Sequence, residues 1–410
     1  MVSFVTVQGS SQQTIQLGFD SKTNFALAQQ IAALVNAGVN DGAIVTEFDT
    51  AGPPPTLPGG VSGALVQTQS PIELLPTGYT IDLVTKPGPA VVLGNGASGE
   101  TILSDVSTDL TFLATSGSGT VVAGGGNSRI SVGGSGDWSI NTGAGNDIIA
   151  ALGAVNATIS AGRGHNAILL GSGNDLIEST GKDTIFGGSG SATIDASGAH
   201  SDFVEGNGLN LLFLGGAGSV TIFGGSGSDT YIGSAGTTGR QLIEGGSAGN
   251  NYLLAGDGRA TLIGGGSGDQ LFSYGSHRQD LIAGAGNETL SAALSFGNDK
   301  LKAGAGQDLL IGGFGSDTFV GGSGSATISA GLGGQVFEFI NHAAGGTDLV
   351  QNIFDPSTIK IDLDGYGTGA VAKALASQTV SNGSLTIGLA DGTQITFQDV
   401  TSLLNKSNFT

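Results

Sequence analysis

Cysteine is absent from this 410-residue chain, so disulfides and thiolate metal sites are excluded. Positive charge is scarce: 13 Lys+Arg stand against 33 Asp+Glu, for a formal net charge of −20. That balance argues against nucleic acid as a partner and suits a divalent cation. There is one Trp, Trp138, and no run of 18 apolar residues, so no membrane-inserted helix is expected. The first residues, Met1-Val2-Ser3-Phe4-Val5-Thr6-Val7-Gln8, lack a basic segment followed by an apolar one, so no N-terminal export peptide is read there. Catalytic signatures are also thin. The four histidines, His165, His200, His277 and His342, lie far apart with no metal-ligand spacing. Gly171-Ser172-Gly173 belongs to a glycine-rich background, not to a nucleophile turn. An enzyme is not expected.

Glycine is present in excess, 76 residues, and it is placed on schedule. The unit is seen best at Gly224-Gly225-Ser226-Gly227-Ser228-Asp229-Thr230-Tyr231-Ile232 and Gly312-Gly313-Phe314-Gly315-Ser316-Asp317-Thr318-Phe319-Val320. One apolar residue per unit recurs from Val92 and Ile102 through Ile159, Ile168, Leu212, Phe272 and Ile282 to Phe337. Steps are mostly nine or ten residues. Glycine-rich disordered segments lack this regular apolar beat, and sandwich strands are longer. The expectation is an all-β solenoid: a parallel β-roll or β-helix of 9–10-residue glycine-rich repeats over residues 80–340.

Residues 1–79 read as a small α+β region. Val2–Val7 and Thr14–Phe19 alternate like strands. Asn24–Val35 has helical spacing, with a stop near Asn36-Ala37-Gly38, and Pro53-Pro54-Pro55 and Pro58-Gly59-Gly60 mark a linker. Residues 341–410 read as a β-rich cap, with strands at 358–363, 384–389 and 394–397, a turn at Asp391-Gly392 and a short helix at 370–376.

The pattern Gly-Gly-x-Gly-x-Asp-x-apolar-x resembles the repeats-in-toxin nonapeptide, the haemolysin-type calcium-binding repeat. That resemblance implies a β-roll whose turns give backbone carbonyls and the Asp carboxylate to Ca2+, each repeat cooperating with the next but one. Following the Asp position along each side gives Asp280, Asp299 and Asp317 as three consecutive carboxylates. Asp183–Asp202 and Glu288–Asp308 are the next best pairs. Stacked carboxylates at strand spacing repel unless a cation lies between them, so calcium is expected mainly over residues 275–320. Lone residues such as Asp147, Asp175 and Asp229 read as turn caps. The resemblance further implies export by type I secretion machinery through a signal near the C-terminus, hence a secreted or cell-surface location.

With no catalytic constellation, the functional expectation is a secreted calcium-binding structural protein that self-associates into a cell-surface or biofilm-matrix filament or layer. Val2–Val7 is a candidate strand for adding to a neighbour's sheet edge. Two other readings stay open. One is an adhesin gripping surface polysaccharide, for which Trp138 is a candidate stacking residue. The other, a polysaccharide-modifying enzyme, needs basic and acidic residues stacked on successive coils, and Arg129, Arg163, Arg240, Arg259 and Arg278 look scattered.

Overall fold

The structure is a computed structural model that describes residues 1–9, 13–48, 55–68, 70–199, 201–208, 210–236 and 238–410. Pro53, Pro54 and His200 lie outside the described residues. The chain falls into two compact units, Met1–Val204 and Glu205–Thr410. Each is a parallel β-solenoid.

In the first unit, successive strands alternate between two facing sheets and stack in parallel within each. One inward column runs Ile102, Val121, Ile140, Ile159, Ile177, Ile194 in strict register. The facing column runs Val92, Phe112, Ile130, Ile149, Ile168, Ile185. All twelve are buried, as the nine-to-ten-residue beat requires. Glycine closes the turns because the coils stack too tightly for a side chain. A Cβ on Gly164, whose φ is +134°, would fall on the Gly145 carbonyl oxygen. Parallel pairing already joins Ile44–Phe48 to Ser62–Gln67 and then Tyr79–Val84.

A hairpin of β1 (Ser3–Gln8) and β2 (Thr14–Phe19) precedes helix α1 (Lys22–Asp41). Ser21 caps α1 by accepting the Asn24 N–H, and Gly42 ends it at φ +79°. The expected stop at Asn36-Ala37-Gly38 is therefore overrun. Gly38 sits inside the helix because Ile44 packs where its Cβ would be. Val5, Val7, Leu17, Phe19, Ala28, Ala32 and Val35 form one core with Ala64, Val66, Leu83, Leu103 and Val122 of the solenoid. The N-terminal segment thus covers its own coils. β1 pairs with β2 along its whole length, in a sheet of two strands.

In the second unit one inward column runs Phe213, Tyr231, Leu253, Leu271, Leu290, Leu310, Ile328, Val350, Phe397. The other runs Ile222, Ile243, Leu262, Leu281, Leu301, Phe319, Phe337, Ile361. Three sequence assignments slip by one residue here. Phe213, Leu271 and Leu281 face inward, not Leu212, Phe272 and Ile282. Each pair is two adjacent apolar residues, and spacing alone cannot say which of them points in. The strand Gln270–Gly275 also carries a bulge between Phe272 and Tyr274, which displaces the register of its last residues.

The C-terminal end is closed by pairing. Gln394–Phe397 stacks in parallel on Thr347–Gln351, then Ser384–Gly388 and Thr379–Ser381 turn back antiparallel. Phe409 bridges Ile361 on the other sheet. Antiparallel strands blunt an edge that the parallel stack would otherwise leave open. Helix α2 (Ala370–Ala376) lies where its spacing placed it.

Candidate metal centre

On many coils a residue at or just before the start of a strand has a backbone N–H that the parallel ladder does not pair. A polar side chain from the next coil on the same side accepts it. In the first unit Ser128 N–H donates to Asp147 Oδ1 (2.7 Å), Asp147 to Asn166 Oδ1 (3.0 Å), Asn166 to Asp183 Oδ1 (3.3 Å) and Asp183 to Asp202 Oδ1 (3.1 Å). On the other sheet Ala157 N–H donates to Asp175 Oδ1. In the second unit one such ladder joins Leu211, Asp229, Asn251 and Asp269. Beyond them on that side, Glu288 N–H donates to Asp308 and Ala326 N–H to Asp348. The opposite side reads Gln279, Asp299, Asp317, Gln335. Asp, Asn and Gln serve alike because the rung needs only an acceptor.

Two of the expected positions move. Asp280 is not on the ladder. It pairs in register with Lys300, and its carboxylate meets Arg278 at 3.1 Å in a solvent-exposed pair. Gln279 takes the rung below Asp299. On the other side Asp269, not Gln270, is the rung, so Asp269, Glu288 and Asp308 are three carboxylates on consecutive coils. The motif itself held this signal: in Gly264-Gly265-Gly266-Ser267-Gly268-Asp269 the acid stands sixth, where the nonapeptide puts it. Both errors come from the slips at Phe272 and Ile282. Asp348 was missed because its turn, Gly345-Gly346-Thr347-Asp348, is a shortened copy.

The rungs differ in what their second oxygen meets. Asp317 Oδ2 accepts Gly313 N–H, Asp308 Oδ2 accepts Gly304 N–H and Asp269 Oδ2 accepts Gly265 N–H, each at 2.7 Å. Asp299 Oδ2 accepts the Ser273 hydroxyl, and Ser179 donates to both Asp183 and Asp202. The second oxygens of Asp147, Asp202, Asp229, Glu288 and Asp348 are instead buried with no hydrogen bond of good geometry. An ionised oxygen in that position is costly. Burial pushes Asp147, Asp317 and Asp348 up to about 6 and Asp202 up to about 7. Glu288 rises to about 8 through burial and then the neighbouring Asp308.

Calcium fits these atoms. The donors are hard carboxyl oxygens, and the second oxygens of Asp147, Asp202, Asp229, Glu288 and Asp348 are those without a well-formed hydrogen bond. Among the described residues no three Asp, Glu or His side chains gather on one point, so backbone carbonyls must complete any shell. Where a rung is an amide, its N–H2 takes those carbonyls. Gln279 Nε2 donates to the carbonyls of Gly256 (2.7 Å), Tyr274 (2.8 Å) and Gly258 (2.9 Å). Asn166 and Asn251 do the same to Ala161 and Gly246. The amide occupies the ground a cation would hold. Gln279→Asp should therefore cost about 1–3 kcal/mol in chelator, and calcium should restore the loss. Melting curves with and without calcium check this; equal melting of wild type and variant in chelator would refute it.

Trp138 is fully buried with its ring 5.5 Å from Phe112, so it packs the core and offers no face to a sugar. Of the histidines, His165, His277 and His342 are in separate turns.

Four segments, residues 156–177, 179–208, 212–238 and 295–328, match the family of the RTX calcium-binding nonapeptide repeat. Asp183, Asp202, Asp299, Asp308 and Asp317 fall inside them, and Asp280 and Glu288 outside. Comparison with the curated proteins finds no match.

Proposed function

The chain carries calcium-binding nonapeptide repeats of the repeats-in-toxin family, and from that premise we propose a secreted structural protein that self-associates through the side of its second solenoid. Calcium supplies positive charge to the ladder carboxylates. In this reading Asp147, Asp202, Asp229, Glu288 and Asp348 are its first carboxylate ligands, and Asp183, Asp299, Asp308 and Asp317, whose oxygens are already hydrogen-bonded, contribute less. Asp280, which stands off the ladder and meets Arg278, is not among the ligands of this reading. Secretion rests on the family, whose repeat proteins are typically exported. No helix among the described residues is long and apolar enough to cross a membrane.

The observation that carries self-association is an apolar column on the outside. Phe296, Phe314 and Leu332 occupy the same turn position on consecutive coils, each donating its N–H to the coil before. They are 67%, 51% and 62% exposed, and the two rings stack at 4.9 Å. Stacked exposed aromatics on a regular column form the kind of patch that marks a protein interface. A second copy of the chain offers the same repeating surface. The carboxylates are used in rungs, which supports a non-catalytic role.

Electron microscopy and sedimentation of the protein with calcium test this. Assemblies should form, and Phe296→Ser with Phe314→Ser should abolish them without lowering the melting temperature. Monomers at every concentration of wild type would contradict the reading.

A further inference from the structure

A groove of about 940 Å3 opens in the first unit between the start of α1 and the turns of four coils. That volume lies at the upper end of the roughly 300–1,000 Å3 typical of small-molecule sites. Asp20 fixes the wall by accepting the Ala144 N–H at 3.1 Å. Lys22 stands on the helix side, and Arg163 and Lys182 stand on the coil side. The Lys182 N–H donates to the Gly164 carbonyl at 2.8 Å, so the Arg163 and Lys182 turns are neighbours in the stack, about 4.8 Å apart.

Three of the chain's 13 Lys and Arg thus line one groove of a protein with net charge −20. All three are exposed, and among the described residues none forms an ion pair. The facing carboxylates are Asp20 and Glu178, which leaves the lining net positive before His165 is counted. Hydroxyls of Ser21, Ser160 and Thr180 lie among the charges, and no aromatic or large aliphatic side chain lines the groove.

From this juxtaposition of Lys22, Arg163 and Lys182 with a hydroxyl-rich lining, we infer that the groove binds a short acidic saccharide. The cations meet its carboxylates, and Glu178 and the hydroxyls meet its sugar hydroxyls. Arg163 supplies a planar fork suited to a carboxylate. A peptide would need apolar pockets for its side chains, and a neutral sugar would need an aromatic platform; the groove has neither. The surrounding negative charge is screened within about 8 Å at physiological salt, so the groove acts locally. The inference does not depend on self-association, which uses the other unit.

Titration calorimetry on the full chain with tetragalacturonate tests it, beside maltotetraose, tetraglutamate and inorganic phosphate. The acidic tetrasaccharide should bind and weaken with salt, and the neutral one should not bind. Arg163→Ala with Lys182→Ala should lose at least tenfold in affinity at unchanged melting temperature. Lys22→Ala, on a different element, should lose several-fold, and Lys302→Ala, in the second unit, nothing. Absence of binding, equal binding of tetraglutamate or phosphate, or binding indifferent to Arg163, Lys182 and Lys22 would each overturn the proposal.

Discussion

In chelator, the melting temperature should fall by roughly 10 °C or more as pH rises from 5 to 8.5. Asp147, Asp317 and Asp348 ionise near 6, Asp202 near 7 and Glu288 near 8 in the folded protein, all held up first by burial. Unfolded carboxylates ionise near 4. The folded state therefore holds protons that the unfolded state has lost. That contribution to stability is full below pH ~4 and disappears as pH rises through 6 to 8. Each pKa unit is worth about 1.4 kcal/mol. A combined loss of only ~4 kcal/mol moves the midpoint by about 10 °C for a unit of this size. Excess calcium replaces the protons with a cation and should flatten or reverse the trend. Calorimetry across pH, with and without calcium, checks it. A chelated protein that melts higher at pH 8 than at pH 5 would contradict the assignment.

Asp202→Asn should raise the melting temperature in chelator at pH 8 by about 5–10 °C and should blunt the response to calcium. The amide keeps an acceptor for the Asp183 N–H and the Ser179 hydroxyl, which Asp202 Oδ1 now holds at 3.1 Å each. It removes a buried charge whose second oxygen has no partner. Asn166 and Asn251 show that an amide fits such a rung. Asp202→Ala should instead lose about 1–3 kcal/mol, since it strands a buried N–H. The opposite signs separate acceptor from charge. Equal destabilisation by Asn and Ala in chelator would mean that charge burial is not what matters here.

The solenoid was legible because glycine and one apolar residue per turn are forced by close stacking, as at Gly164 and along Ile159, Ile177 and Ile194. Register was legible on most coils, even at several where two apolar residues stand together, such as Ile148-Ile149 and Leu309-Leu310. At Leu271-Phe272 and Leu281-Ile282 the wrong member of the pair was taken as inward, and the same slip carried the ladder from Asp269 to Gln270 and from Gln279 to Asp280. What each carboxylate's second oxygen meets has no linear signature, since Ser179 and Ser273 act across the turn. The groove was invisible for a related reason. Lys22 is about 140 residues from Arg163 in sequence, and only the packing of α1 on the coils brings them together.

The central claim is that calcium acts where a buried carboxylate oxygen lacks a partner, and that amide rungs close the coil without it. Hydrogen exchange read by mass spectrometry, with calcium and with chelator at pH 8, tests it most directly. Chelation should open the turns around Asp147, Asp202, Asp229, Glu288 and Asp348, while the turns closed by Gln279 and Gln335 keep their protection. Loss of protection at Gln279 and Gln335 equal to that at Asp202 and Glu288 would contradict the account.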